Sequence, residues 1–147
     1  MDAVRDDAGQ ALVLAVLAVG IAAVTVVGLR AAQDRILSDA HERRAGEAAV
    51  EAAGAAVADA QVEFLASLRD ETGRVRSLPS RAELAAFVAD PLVAARAQAA
   101  ANTLALANGT AQPSDVSIMA GTRSIEIGLA LGSHRQRASI DSRCCRP

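Results

Sequence analysis

The sequence predicts an α+β protein: one long N-terminal helix that first crosses a membrane and then continues as a stalk, two shorter helices, and a C-terminal antiparallel β-hairpin. Three observations carry this. The run from Ala11 to Leu29 holds no charged residue, no proline occurs before Pro79, and the apolar spacing changes after Asn108-Gly109 from about 3.6 residues to 2. The organisation that follows is a short leader over 1–9, a membrane helix over 10–30, a helical stalk over 31–69, a small α+β region over 70–132 and a flexible tail over 133–147.

As a helix, the run Ala11 to Leu29 rises about 29 Å at roughly 1.5 Å per residue, matching a hydrocarbon core of about 30 Å. A cleaved secretory signal fits less well, because in MDAVRDDAG the single Arg5 is outnumbered by Asp2, Asp6 and Asp7, and the apolar run exceeds the usual signal core of roughly 7–15 residues. The anchor is therefore expected to be retained. Beyond Leu29 the chain is rich in alanine and other strong helix formers as far as Arg69. Along this stalk Val50, Ala53, Val57, Ala60, Phe64 and Leu68 recur at spacings of three and four, while Glu47, Glu51, Asp59 and Glu63 lie elsewhere on the cylinder. The stripe needs a partner, either the C-terminal part of the same chain or a neighbouring copy. Gly46 and Gly54 weaken the helix and mark a bend or a close backbone contact.

Gly73 and Pro79 break the helical pattern, and Ser80 with Glu83 forms a capping box that opens a short helix. Asp90-Pro91 reads as an N-cap followed by proline at the first helical position, and Asn108-Gly109 as the left-handed stop after Ala107. Val116, Ile118 and Ala120 then alternate, Gly121-Thr122 reads as a turn, and Ile125, Ile127, Leu129 and Leu131 alternate again. An isolated ribbon is marginal in water, so the apolar face of this hairpin is expected to cover the stalk stripe or the helix ending at Ala107. From Ser133 the hydrophobic periodicity is lost, and the segment reads as a mobile tail.

Composition narrows the function. Phe64 and Phe87 are the only aromatic residues, all basic residues are arginine, and the net charge is −2. There is neither an aromatic-lined pocket for a small-molecule substrate nor a basic stripe for nucleic acid. His41 and His134 have no partner at metal-ligand spacing. Ser38, Asp39 and His41 lie on an exposed stalk that cannot enclose an oxyanion site, and no glycine-rich phosphate loop occurs. No cofactor, metal or catalytic residue is expected. The adjacent Cys144 and Cys145 exclude a CxxC motif; they read as inert thiols of a tail or as partners in an intermolecular disulfide in an oxidising compartment.

The order Gly9-Gln10-Ala11-Leu12-Val13 opening a membrane helix, an alanine-rich helical continuation, and a helix ending Ala105-Leu106-Ala107-Asn108-Gly109 before alternating strands resembles the TadE/TadG-like proteins, minor pilins or pseudopilins of the tight-adherence (Flp) pilus. The resemblance spans Gly9 to about Leu131. It implies a pilin-like, membrane-held structural protein with its bulk outside the cytoplasmic membrane, partnered by other pilin-like subunits or assembly proteins, and without enzymatic turnover. In processed members cleavage follows a glycine and a glutamate stands fifth in the mature chain. Cleavage between Gly9 and Gln10 here would place Leu14 fifth, which favours a TadG-like, uncleaved member.

Lateral docking of such helices would use the small residues Ala11, Ala15, Ala18, Gly20, Ala22 and Gly28, with Val50, Val57 and Phe64 further along. Arg30, Arg35, Arg43 and Arg44 follow the membrane run, and by the positive-inside rule they would hold the C-terminal part in the cytoplasm. The alternative is accordingly a membrane-tethered cytoplasmic stalk or scaffold, similar in plan to the peripheral stalks of rotary ATPases. Asp34, Asp39 and Glu42 are interleaved with those arginines as helical partners, and the extracytoplasmic orientation implied by the resemblance is preferred. The predicted hairpin also disfavours an all-helical stalk.

Overall fold

A computed structural model describes residues 3–69, 72–73 and 78–142, with side chains from Gly9 onward. Six elements follow in order: α1 (Ala3–Ser67), α2 (Arg81–Val88), α3 (Pro91–Ala107), β1 (Ser114–Ala120), β2 (Ser124–Leu131) and β3 (His134–Asp141). This is the α+β order expected, with a longer first helix and one more strand. Residues Ala3 to Gly9, expected as a leader before the helix, already belong to α1. The chain divides into two units between Ala40 and His41.

The first unit is helical, and every residue from Gly9 to Ala40 is exposed. The second unit contains the core. Within it α1 buries Ala45, Ala49, Val50, Ala53, Val57 and Ala60, which share one face of the helix. Four of these six are alanines, so the helix backbone lies close to whatever covers it. A Cβ added at Gly46 would stand 3.1 Å from Gln136 Cγ and 3.7 Å from Leu131, and one added at Gly54 would stand 4.0 Å from Ala138 Cβ. Both glycines mark close approach of α1 to the sheet.

Ser80 caps α2 as predicted. Its Oγ accepts the Glu83 N–H at 3.2 Å, while its own N–H donates to Glu83 Oε2 at 2.7 Å. That backbone N–H foremost, and then the Ser80 hydroxyl donating to Glu83 Oε2 at 2.8 Å, hold the Glu83 carboxyl below its ordinary pKa. Asp90 caps α3 by accepting Leu92 N–H at 2.8 Å, with Pro91 next. Gly109, at φ +69°, ends it. The two helices are bent 51° from one another; α2 buries Leu84 and Phe87, and α3 buries Val93, Ala97, Ala101 and Ala105. Arg96 of α3 pairs with Glu63 of α1 at 2.7 Å, and His41 of α1 bonds the carbonyl of Asn108 at 2.9 Å. These contacts set α3 antiparallel to the second part of α1.

The strands form an antiparallel sheet in the order β1-β2-β3. Central β2 turns Ile125, Ile127, Leu129 and Leu131 inward, all buried, each contributing about 1.5–3 kcal/mol of apolar burial. β1 pairs Ile118 with Ile127 and Ala120 with Ile125; its register shifts between Ser114 and Ser117, where Asp115 adopts φ +56°.

β3 corrects the expectation of a mobile tail from Ser133. Gly132, at φ +56°, turns the chain with Ser133, and β3 returns along β2 with Leu131 facing His134 and Ile125 facing Ile140. The period-2 alternation is present, since 134, 136, 138 and 140 are half-buried and 135, 137, 139 and 141 exposed. Its inward positions are His, Gln, Ala and Ile, so hydropathy alone does not display it.

A candidate membrane and docking surface on the first helix

Among the described residues, α1 is the one continuous helix long and apolar enough to cross a membrane. Its uncharged stretch runs from Ala11 to Leu29. There Leu12, Leu14, Val16, Leu17, Val19, Ile21, Val24 and Val27 are all more than half exposed among the described residues. In water such a surface would be unsustainable, because each buried apolar side chain is worth about 1.5–3 kcal/mol. The single polar side chain within the run, Thr25, is satisfied by donating to the Ile21 carbonyl at 2.8 Å, as a hydroxyl in a hydrocarbon phase requires.

Helical geometry sorts the expected docking residues. At about 100° per residue, Ala11, Ala15, Ala18 and Ala22 fall within about 60° of arc and form one small-residue stripe. Gly20 lies on the opposite side, in a notch between Val16, Leu17, Ile21 and Val24; Gly28 falls between the two faces. A Cβ added at Gly9, Gly20 or Gly28 would meet nothing within 4 Å, so each position is open to a neighbouring backbone. Gly9 and Gln10, the position at which a processed member would be cleaved, lie inside the continuous helix α1.

Val50, Val57 and Phe64 are not docking positions. Val50 is 4 % and Val57 0 % exposed, both within the core of the second unit, and Phe64 packs against that core and stacks on Phe87. The apolar stripe of the stalk is covered by the same chain, the first of the two alternatives open in the sequence. Cys144 and Cys145 lie outside the described residues. No group of three His, Cys, Asp or Glu placed to hold a metal occurs among the described residues.

Sequence reasoning passed over Arg135 and Arg137, which share the outer face of β3. The Gly132-Ser133 pair before an alternation of charged and uncharged residues was the available signal.

Fold and surface define a chain with one helix suited to membrane insertion, followed by a small α+β domain built around that helix's second part. No family model, curated protein or solved structure matches it.

Proposed function

We propose that the chain is a TadE/TadG-like structural or assembly component of a type IV-like (Tad/Flp) pilus or related secretion filament, anchored in the cytoplasmic membrane as a minor pilin or pseudopilin, and not an enzyme. The observation that supports this reading is the double use of α1. One helix supplies an uncovered apolar surface over Ala11 to Leu29 and, from Ala45 to Ala60, the buried strut against which α2, α3 and the sheet pack. The stripe Ala11, Ala15, Ala18 and Ala22 permits close helix–helix approach. The partners are the membrane and other pilin-like subunits; the domain faces the outside of the cytoplasmic membrane.

The second reading, a cytoplasmic scaffold, rests on Arg30, Arg35, Arg43 and Arg44 beyond the apolar run. Protease protection of a C-terminally tagged chain separates the two. Digestion of the tag in spheroplasts is the outcome expected for the pilin-like component. Protection until the membrane is dissolved would overturn it in favour of the scaffold.

A further inference from the structure

We infer that the free edge of β3 receives an extended segment of a partner protein in which acidic and apolar residues alternate, added to the sheet as a fourth strand. This surface belongs to the second unit and stands independently of the proposed pilus role.

β3 is an edge strand, and the direction of its backbone groups follows from one bond. Ser142 N–H donates to the Arg123 carbonyl at 3.0 Å, extending by one step the register in which Asp141 faces Ser124. In an antiparallel ladder, hydrogen-bonded pairs alternate with pairs whose backbone groups point away. Residues 140, 138 and 136 therefore direct their N–H and C=O toward β2, and Arg135, Arg137 and Ser139 direct theirs outward. The Asp141 and Ser142 carbonyls both accept Gln61 Nε2, at 3.3 and 2.6 Å, which closes that end. The outward groups of Arg135, Arg137 and Ser139 have no partner among the described residues.

Two flanking features give the added strand its chemistry. On the outer face, Arg135 and Arg137 are exposed and form no ion pair among the described residues. Beside them Gly128 and Ala130 of β2 present almost no side chain, leaving a trough of about 260 Å³ whose far wall is Asp115 and Ser117. Glu126 faces Ser139 in the next row. Carboxylates are thus favoured opposite Arg135 and Arg137 and disfavoured opposite Ser139. On the inner face, a groove of about 210 Å³ lies between α1 and β3, lined by Ala58, Gln61, Val62, Leu65, Ile140 and Asp141. Val62 stands 65 % exposed there.

Successive side chains of a strand point to opposite faces. A segment paired with β3 would set the side chains of one face opposite Arg135 and Arg137 and those of the other toward α1, reaching the groove at Ile140, so its sequence would run acidic, apolar, acidic, apolar. Main-chain bonds would supply affinity and the alternate side chains specificity, as in other strand-addition complexes. None of the described connecting segments of this chain carries two acids in alternation, so the occupant comes from another protein.

Fluorescence anisotropy of the full chain in detergent micelles tests this, with a short labelled peptide alternating Glu and Val and a second peptide of the same composition in which the Glu and Val residues are grouped in blocks. The alternating peptide should bind at least about tenfold more tightly, a difference of about 1.4 kcal/mol. The double variant R135E/R137E should lose that binding and prefer a peptide alternating Lys and Val. S139P removes an outward N–H without touching the β2 ladder, so it should weaken binding while leaving the melting temperature in place. Equal affinity for the alternating and blocked peptides, retention of binding by S139P, or no switch of preference in R135E/R137E would each overturn the inference. So would a dimer of the unliganded chain that S139P dissolves, because the edge would then be filled by a second copy.

Discussion

Phe64 of α1 and Phe87 of α2 stack with ring centroids 5.1 Å apart and planes 25° from parallel. They are the only aromatic residues in the chain, and they meet where α1 approaches its end and α2 begins the return. An offset aromatic pair contributes about 0.5–1.5 kcal/mol beyond its area. Phe87, at 7 % exposed, also fills core that alanine cannot. Phe87→Ala should therefore destabilise the domain by about 3 kcal/mol. With no Trp or Tyr present, ordered near-ultraviolet circular dichroism of aromatic origin comes from these two rings. The variant should lose that signal at temperatures where the far-ultraviolet spectrum remains; a melting curve superimposable on the parent would refute the role of the pair.

The two core glycines of α1 should respond differently to the same change. Replacing a helix-interior glycine by alanine gains roughly 0.5–1 kcal/mol in a site that accepts the methyl group. At Gly54 the new Cβ would lie 4.0 Å from Ala138 Cβ, ordinary contact, so Gly54→Ala should raise the unfolding midpoint. At Gly46 it would lie 3.1 Å from Gln136 Cγ, and Gln136 must shift within an edge strand, so Gly46→Ala should be close to neutral. Gly46→Val should destabilise, because Leu131 stands only 3.7 Å away and is itself buried. Chemical denaturation of the three variants checks the order, and equal gains at both glycines would contradict the close approach of α1 to the β2–β3 turn.

The capping box of α2 makes a pH-dependent contribution. The Glu83 carboxyl has a lowered pKa because the Ser80 backbone N–H, and then the Ser80 hydroxyl, bond its ionised form. A group whose folded pKa is depressed adds stability above its unfolded value, and this is lost as pH falls through the folded value. Thermal melts taken from neutral pH downward should show the parent losing stability in and below the ordinary carboxylate range. In Glu83→Gln, where the amide keeps the capping bond without titrating, that part of the decline should be absent. Identical pH profiles would mean that the bond does not persist in solution.

Much of this fold was legible because its stop signals are chemical. Ser80-Glu83, Asp90-Pro91 and Asn108-Gly109 each satisfy or terminate backbone groups by local rules, and all three stand where those rules place them. β3 was not legible from hydropathy because its inward, half-buried positions begin with the polar His134 and Gln136 before the apolar Ala138 and Ile140, and the small Ala138 adds little to the pattern. The stripe of Val50, Val57 and Phe64 was visible, but its partner was not. A helix face looks the same whether its own domain or a neighbour covers it, and only the tertiary fold distinguishes the two. The apolar run of α1 was the plainest signal, since the other long uncharged stretch, residues 97–114, is interrupted by Gln98, Asn102, Thr103, Asn108 and Gln112.

The small-residue stripe of α1 should decide lateral contact within the membrane. Ala15, Ala18 and Ala22 share one face, and Gly20 lies opposite. If helices dock along the alanine face, Phe at Ala15, Ala18 or Ala22 would hold the backbones apart by several ångströms, and close packing is the principal source of helix association in lipid. Gly20→Phe enlarges the helix by more atoms, yet on the side facing lipid, and should leave the contact intact. In-membrane photo-cross-linking of the four variants, each at equal expression, should show loss of the adduct for the three alanine positions and retention for Gly20→Phe. Loss at Gly20 with retention at the alanines would move the docking face to the notch between Val16, Leu17, Ile21 and Val24. Retention in all four would remove lateral helix docking as the basis of assembly.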